Sequence, residues 1–156
     1  MKWDELAQEP CSVARSLAVI GDRWTLMILR DAFLGLRRFE AFQARLGISR
    51  SIVTERLNLL VAEGVLERRP YQDRPVRHEY RLTAKGLDLH PVIMAIVDWG
   101  DRHYAGEAGP PMLRRHKGCG CDFHAVQVCS ECGEPVTARD VEARPGPGAA
   151  TVRSFT

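Results

Sequence analysis

Apolar residues recur at helical spacing through the first half of the chain. Trp24, Met27 and Ile28 lie three or four positions apart, as on one face of a helix. Patterns of this kind predict four helices, at residues 13–20, 23–34, 38–46 and 49–63, with Ser12 and Ser49 as N-caps of the first and the fourth.

The pattern after the fourth helix is that of a hairpin. Residues 65–68 and 78–82 are predicted strands, and the turn between them contains Pro75 flanked by Arg74 and Arg77. A capped helix followed by a basic hairpin is typical of a winged helix-turn-helix. The predicted fold class is therefore mainly α with a small β wing, followed by a small C-terminal β-ribbon.

A second long apolar pattern follows the hairpin. Thr83 is a predicted cap, and the helix after it is expected to reach Tyr104, with a kink at Pro91. Its apolar seam is wide, which favours pairing of the 83–104 helix and the first helix with a second subunit. The alternative is packing of the seam on the first helix of the same chain.

Four segments are predicted from these patterns. Residues 1–105 form the DNA-binding and dimerisation domain, which begins with a loose arm. Residues 106–111 (GEAGPP) form a linker, and residues 112–143 form a small cysteine-rich module. The Gly-, Ala- and Pro-rich residues 144–156 are expected to be a flexible tail.

Charge is unevenly distributed. The whole chain carries a net charge of only +2, whereas Arg45–Leu82 contains eight arginines and five acidic residues. This local excess of +3 lies where a DNA contact needs it. The sequence contains no apolar stretch long enough for a membrane span and no signal-peptide pattern, so a cytoplasmic protein is expected. It also lacks a catalytic triad pattern, a phosphate-binding glycine loop and paired acids, which argues against an enzyme.

The fourth helix is the candidate recognition helix, for the major groove, and residues 70–78 are the candidate wing, for the adjacent backbone or minor groove. With Val53, Leu57 and Leu60 facing inward, its polar residues near the N-terminus face outward. The predicted DNA-binding residues are Ser49, Arg50, Ser51, Thr54 and Asn58 on the helix and Arg74 and Arg77 on the wing. Arg56 lies on another side of the helix, where pairing with Glu63 or Glu40 is an alternative to DNA contact.

Several separated blocks resemble one known family. The blocks are Cys11–Arg15, Ile20–Leu26, Arg38-Phe39, Ile48–Leu57, and Glu79–Thr83 with Lys85-Gly86. Over roughly residues 10 to 104 the chain resembles the HxlR family of MarR-related winged-helix transcription regulators of bacteria. The resemblance implies a homodimer that binds a palindromic operator on double-stranded DNA, with the first and last helices of the domain at the interface.

In some members of that family a cysteine at the start of the first helix senses electrophiles or oxidants, and Cys11 occupies this position. A helix N-terminus favours the thiolate form. The alternative for Cys11 is an inert thiol that packs against Trp24 or the partner subunit.

The other four cysteines lie between residues 119 and 132. Two copies of one pattern occur there, each with a ligand, two further residues, a cysteine and a glycine. This spacing predicts a structural zinc ribbon. The predicted ligands are His116, Cys119, Cys129 and Cys132, with Cys121, or less favourably His124, as a replacement for His116. The alternative is a ribbon without metal.

The combined prediction is a DNA-binding transcriptional regulator, a repressor that binds its operator as a homodimer. Two alternatives remain. One is a redox- or metal-responsive sensor that acts through Cys11 or the cluster at residues 116–132. The other is a winged-helix module that binds proteins instead of DNA.

Overall fold

The computed structural model describes residues 3–148, with side chains from Glu5 onward. Residues 149–156 of the predicted tail lie outside the described residues. The chain divides into two compact units, one ending at His90 and the next beginning at Pro91. The predicted linker at residues 106–111 lies within the second unit, and the predicted domain boundaries remain predictions.

The helices precede and follow a single hairpin in the described part of the chain. They are α1 (Trp3–Leu6), α2 (Ser12–Ile20), α3 (Arg23–Phe33), α4 (Phe39–Leu46), α5 (Arg50–Ala62), α6 (Ala84–Leu87) and α7 (His90–Tyr104). The strands β1 (Leu66–Asp73) and β2 (Val76–Leu82) form an antiparallel sheet. This architecture confirms the predicted mainly α fold with a small β wing. In place of the predicted C-terminal β-ribbon, the β structure after β2 in the described residues consists only of the isolated β-bridges of Arg115 with Asp122 and of Val128 with Pro135. Within residues 3–148, no helix is long and apolar enough to cross a membrane.

The core of the first unit contains the predicted apolar face of α5, whereas of the face predicted for α3 only Ile28 is buried and Trp24 and Met27 are half-buried. The fully buried members of the core include Ile28, Leu29, Phe42, Val53, Leu57 and Leu60. Glycine ends two of the helices where the chain turns sharply, since Gly35 and Gly47 have φ values of +93° and +62°. These angles are accessible to glycine and strained for most other residues.

Two of the predictions for the N-terminal region are wrong. The predicted loose arm contains the short helix α1. Cys11, and not Ser12, is the N-cap of α2, because Cys11 keeps an extended backbone while Ser12 already belongs to the helix. The carbonyl of Cys11 accepts the N–H of Arg15 (3.0 Å), which is the first helical hydrogen bond.

The predicted long helix from Thr83 to Tyr104 is interrupted. Thr83 caps α6 as expected, but α6 ends at Leu87 and α7 begins at His90. Pro91 accounts for the break, because it lacks the N–H that a continuous helix would donate to the carbonyl of Leu87. A proline in the first turn of a new helix has no such cost. The predicted 83–104 helix is therefore two helices.

Candidate nucleic-acid interface

The two faces of α5 differ completely in exposure. Val53, Leu57 and Leu60 have no exposed surface. The five polar residues predicted to face outward are all exposed, namely Ser49, Arg50, Ser51, Thr54 and Asn58. The arrangement leaves a polar helix surface that can approach another molecule, while the opposite surface packs into the core.

Local hydrogen bonds define the start of α5. The Ser49 hydroxyl accepts the N–H of Ile52 (3.4 Å) and lies 2.9 Å from the Ser51 hydroxyl. The Thr54 hydroxyl donates to the carbonyl of Arg50 (2.8 Å). Its oxygen lone pairs stay available, so Thr54 is oriented as an acceptor toward solvent.

Arg50 has an aromatic support that the sequence did not suggest. Its guanidinium lies 4.6 Å from the centroid of the Phe39 ring at the start of α4. Stacking on an aromatic face restricts the long side chain and leaves the edge of the guanidinium free to donate hydrogen bonds. The two helices of the helix-turn-helix together therefore orient this arginine.

Arg56 has a partner that neither sequence interpretation named. Its Nε lies 3.4 Å from Oδ1 of Asp22, and its Nη2 lies 3.2 Å from Oε1 of Glu55. Asp22 is also the N-cap of α3, where it accepts the N–H groups of Trp24 (2.9 Å) and Thr25 (3.2 Å). The predicted pairing of Arg56 with Glu63 or Glu40 is wrong, and Arg56 connects α5 to α3 on the side away from the exposed face.

The C-terminal end of α5 is held by residues that precede and begin α6. The Lys85 ammonium donates to the carbonyl of Glu63 (2.6 Å). The Thr83 hydroxyl donates to the carbonyl of Gly64 (2.6 Å) and accepts the N–H of Gly86 (3.1 Å). Free carbonyls at a helix end need such donors. The block Thr83–Gly86 therefore fixes the C-terminal end of α5.

The wing is longer than the sequence predicted. Cross-strand pairing continues outward to Gln72 with Arg77 and to Asp73 with Val76, and a bulge at Tyr71 interrupts the register. The peptide bond between Arg74 and Pro75 at the tip is cis. The two predicted wing residues, Arg74 and Arg77, are exposed.

The segment before α4 pairs with the wing. The N–H of Tyr80 donates to the carbonyl of Arg37 (2.7 Å), and Arg38 forms a β-bridge with Glu79. The Arg38 guanidinium lies 4.6 Å from the centroid of the Tyr71 ring. These contacts join the hairpin to the segment that leads into α4.

Both helices predicted to form a dimer interface expose apolar side chains. On α2 these are Val13, 66% exposed, and Leu17, 43% exposed. On α7 they are Val92, Ile96, Trp99 and Tyr104. The predicted apolar seam of the 83–104 helix comprises Leu89, Ile93, Ile96 and Gly100. Ile96 is exposed, but Ile93 is buried, so only part of the seam is available for a partner.

All five cysteines are described and are free thiols. Cys11 is exposed at the N-terminus of α2. The neighbouring Arg15 donates to the carbonyl of Glu9 (2.7 Å), which gives its guanidinium a backbone partner.

The predicted metal ligands form two local pairs. His116 Nδ1 lies 3.3 Å from the Cys119 sulfur in one turn. In the other turn the pKa of Cys129 is lowered, chiefly because the backbone N–H groups of Cys132 and Glu131 donate to its sulfur. Among the described residues, no three His, Cys, Asp or Glu side chains lie together in a position to hold an ion.

Known proteins that are similar to this chain in sequence or in structure include transcription regulators. An HTH-type transcriptional regulator of Mycobacterium tuberculosis (strain H37Rv) is 47% identical over 137 residues, which cover 88% of this chain and 87% of the relative. The crystal structure of PA1607, described as a proposed transcription factor, has a TM-score of 0.82 at 37% identity and covers 91% of this chain and 99% of that chain. The reduced form of the redox regulator HypR has a TM-score of 0.56 at 30% identity, covering 59% of this chain and 92% of that chain.

The similarity to the mycobacterial regulator includes the cysteine-containing turns. Its 137 matched residues leave only 19 of the 156 residues of this chain outside the match, so the segment 114–136 lies inside it. HypR covers too little of the chain to include both the first unit and these turns.

The HxlR-like helix-turn-helix family matches residues 19–108, which contain α5, the wing and α7. The family and these relatives are transcriptional regulators, which confirms the predictions that the chain is a regulator and not an enzyme. The chain belongs to the HxlR-like helix-turn-helix family.

Proposed function

We propose that this protein is a homodimeric transcriptional repressor that binds a palindromic operator. In this proposal α5 enters the major groove, and the wing lies on the adjacent backbone or minor groove. The observation that carries it is the exposed polar face of α5 opposite a fully buried apolar face.

Specific recognition is assigned to a small set of residues. Arg50, stacked on Phe39, presents donors for guanine or for phosphate. The Ser49 and Ser51 hydroxyls and the backbone N–H groups at the start of α5 suit a phosphate. The Thr54 hydroxyl already donates to the Arg50 carbonyl and therefore suits a donor on a base edge. Arg74 and Arg77 provide positive charge at the tip of the wing.

Dimerisation is assigned to α2 and α7. Each helix exposes apolar side chains that are costly to leave in water, among them Leu17 and Trp99. A two-fold symmetric dimer presents two copies of α5 to half-sites spaced about one DNA turn apart. The operator is therefore expected to be an inverted repeat.

Selection of bound sequences from a random duplex library tests this proposal. The selected DNA is expected to contain an inverted repeat with half-sites about 10 base pairs apart. The variant Arg50→Ala is expected to lose about 1–3 kcal/mol of binding free energy and to relax specificity at one position of each half-site.

The wing variants have a different expected effect. Arg74→Ala and Arg77→Ala are expected to weaken binding to all sequences and to reduce the slope of log affinity against log salt by about 1 per protein copy for each lost phosphate contact. Arg139→Ala, which removes an exposed arginine of the second unit, is the matched charge control. Equal behaviour of the Arg50 variant, the wing variants and the control would contradict the DNA interface and would favour a protein-binding winged helix.

Repression is tested with a reporter gene that carries the selected operator. Expression is expected to fall when the protein is produced and to be unaffected by a variant that lacks both wing arginines. Increased expression would identify an activator instead.

A second candidate function is redox control of DNA binding through Cys11. It is favoured by the exposed, free thiol at the N-terminus of α2 and by the similarity to the redox regulator HypR. Mild oxidation with diamide is expected to lower operator affinity of the wild type but not of Cys11→Ser. An equal loss in both proteins would assign the effect to the other cysteines.

A further inference from the structure

We propose that residues 114–136 bind one structural Zn²⁺ through His116, Cys119, Cys129 and Cys132. This site goes beyond regulation of transcription and does not depend on it. The two cysteine-containing turns that would form the zinc site are related by a structural repeat.

The two turns have the same backbone hydrogen bonds, displaced by 13 residues. The N–H of residue 116 donates to the carbonyl of residue 121 (2.9 Å), as 129 does to 134 (2.9 Å). The N–H of residue 120 donates to the carbonyl of residue 116 (2.8 Å), and the N–H of residue 133 donates to the carbonyl of residue 129 (2.9 Å). In the same way, the N–H of residue 123 donates to the carbonyl of residue 114 (2.9 Å), and the N–H of residue 136 donates to the carbonyl of residue 127 (3.0 Å). The β-bridges 115–122 and 128–135 have the same displacement.

The repeat places the four candidate ligands at equivalent positions. His116 corresponds to Cys129, and Cys119 corresponds to Cys132. The residue after the second ligand of each pair is a glycine in the left-handed region, with φ of +73° at Gly120 and +76° at Gly133. Such a turn lets two ligands of one short loop approach the same ion.

The two turns differ in their first ligand, and a second difference lies two residues further along each turn. The first turn carries an imidazole where the second carries a thiol, and it has Gly118 where the second has Glu131. A Cβ added to Gly118 would lie 2.9 Å from Cε1 of His116. The glycine therefore leaves room for the larger imidazole beside the loop.

The repeat also selects among the ligands. Cys121 corresponds to Glu134, outside both ligand pairs, and its thiol donates to the carbonyl of Cys119 (3.7 Å). His116 Nδ1 and the Cys119 sulfur are 3.3 Å apart. This distance is close to the separation of about 3.6 Å between a nitrogen and a sulfur ligand bound to the same tetrahedral zinc ion. The backbone repeat thus favours His116 over Cys121 as the fourth ligand.

This part of the chain has no buried core, although Ala125 and Arg114 contact Asp98 and Asp101 of α7. No side chain in residues 105–148 is buried, and Phe123 and Val128 are 42% and 53% exposed. A module that cannot bury an apolar core usually needs a metal or disulfides. Since no three ligands lie together among the described residues, zinc binding must bring the two preformed pairs together and thereby order the segment.

Titration of the reduced full-length chain with Co²⁺, followed by displacement with Zn²⁺, tests the site. We expect one Co²⁺ per chain with the visible absorption of a tetrahedral sulfur-containing site. Cys119→Ser and Cys132→Ser are expected to weaken Co²⁺ binding by at least about tenfold, whereas Cys121→Ser and Cys11→Ser bind as the wild type does.

His116→Cys gives the first loop the same pair of cysteine ligands as the second. It is expected to keep one Co²⁺ per chain and to strengthen the sulfur-to-cobalt charge-transfer band, whereas His116→Ala loses affinity. Zinc is also expected to slow tryptic cleavage after Lys117. The proposal is overturned by absence of stoichiometric binding, by one metal per two chains, or by a Cys121→Ser variant as defective as Cys119→Ser.

Discussion

Arg56 of α5 contacts Asp22, the residue that caps α3, with Nε 3.4 Å from Oδ1. One carboxylate thus accepts hydrogen bonds from the start of one helix and pairs with a cation of another. Asp22 lies in the Ile20–Leu26 block by which the chain resembles its family, and its contacts connect α5 to α3.

Asp22→Ala is expected to lower the free energy of unfolding by about 1–2 kcal/mol, because it removes the helix cap and the partially exposed ion pair. Asp22→Asn keeps a capping oxygen and loses only the charge, so a loss below about 1 kcal/mol is expected. Urea denaturation measures both. If the two variants lose the same stability, the cap contributes nothing beyond the ion pair.

Arg56 and Asn58 are expected to behave in opposite ways although they lie two residues apart on α5. Arg56 is half-buried against Asp22, whereas Asn58 is exposed. Arg56→Ala is expected to lower stability, and Asn58→Ala is expected to weaken operator binding by about 1 kcal/mol or more at unchanged stability. Paired denaturation and DNA-binding curves separate the two roles. A stable Arg56→Ala variant that no longer binds DNA would instead place Arg56 in the interface.

Thr25 is expected to be a site where a single substitution stabilises the protein. Its side chain is fully buried, and within the described part of the chain its hydroxyl has no hydrogen-bond partner. Thr25→Val replaces that hydroxyl by a methyl group of similar size and is expected to raise the free energy of unfolding by about 1 kcal/mol. Thermal and urea denaturation measure the change. A less stable Thr25→Val protein would show that the hydroxyl does have a partner in solution.

Asp31 is expected to be far more important for stability than an exposed acidic residue. It is fully buried, and its Oδ1 lies 2.7 Å from Arg30 Nη2 and 3.0 Å from Arg45 Nε, which connects α3 to α4. Asp31→Ala is expected to cost about 2–3 kcal/mol. Glu67→Ala breaks an equally short but exposed pair with Arg69 and is expected to cost less than about 1 kcal/mol. Similar losses in both variants would contradict the role of burial.

Gly86 is expected not to tolerate even one added methyl group. A Cβ at this position would overlap the carbonyl oxygen of Val65, which is backbone and cannot rotate away. Gly86→Ala is therefore expected to destabilise the protein by about 2 kcal/mol. Gly100→Ala is the control, because its Cβ would meet open space within the described residues and alanine favours the helix. A neutral Gly86→Ala variant would show that α6 can shift away from the carbonyl of Val65.

Local patterns in the sequence were sufficient to predict the exposed face of α5. The spacing of Val53, Leu57 and Leu60 defines the buried side, and the polar residues between them must then face outward. The same reasoning could not find the partner of Arg56, because Asp22 is distant in sequence and is brought close only by packing of α3 on α5.

The extent of the wing and the break before α7 also depend on more than local pattern. The outer residues of the hairpin are held by cross-strand pairing of Gln72 with Arg77 and of Asp73 with Val76. The local sequence does not predict these pairs, because residues such as Asp73 have a low strand propensity. The apolar spacing continues across Leu89, so the pattern predicted one helix, but the missing N–H of Pro91 separates α6 from α7.

The attachment of Thr83 and Lys85 to the end of α5 has a mechanical consequence. The carbonyls that directly follow α5, those of Glu63 and Gly64, are held by Lys85 and Thr83, so α6 and the end of α5 are expected to move together. If α5 contacts the operator as proposed, a signal that displaces α6 is expected to change operator affinity without touching the exposed face of α5. Allosteric control would then require the movement of only one short helix.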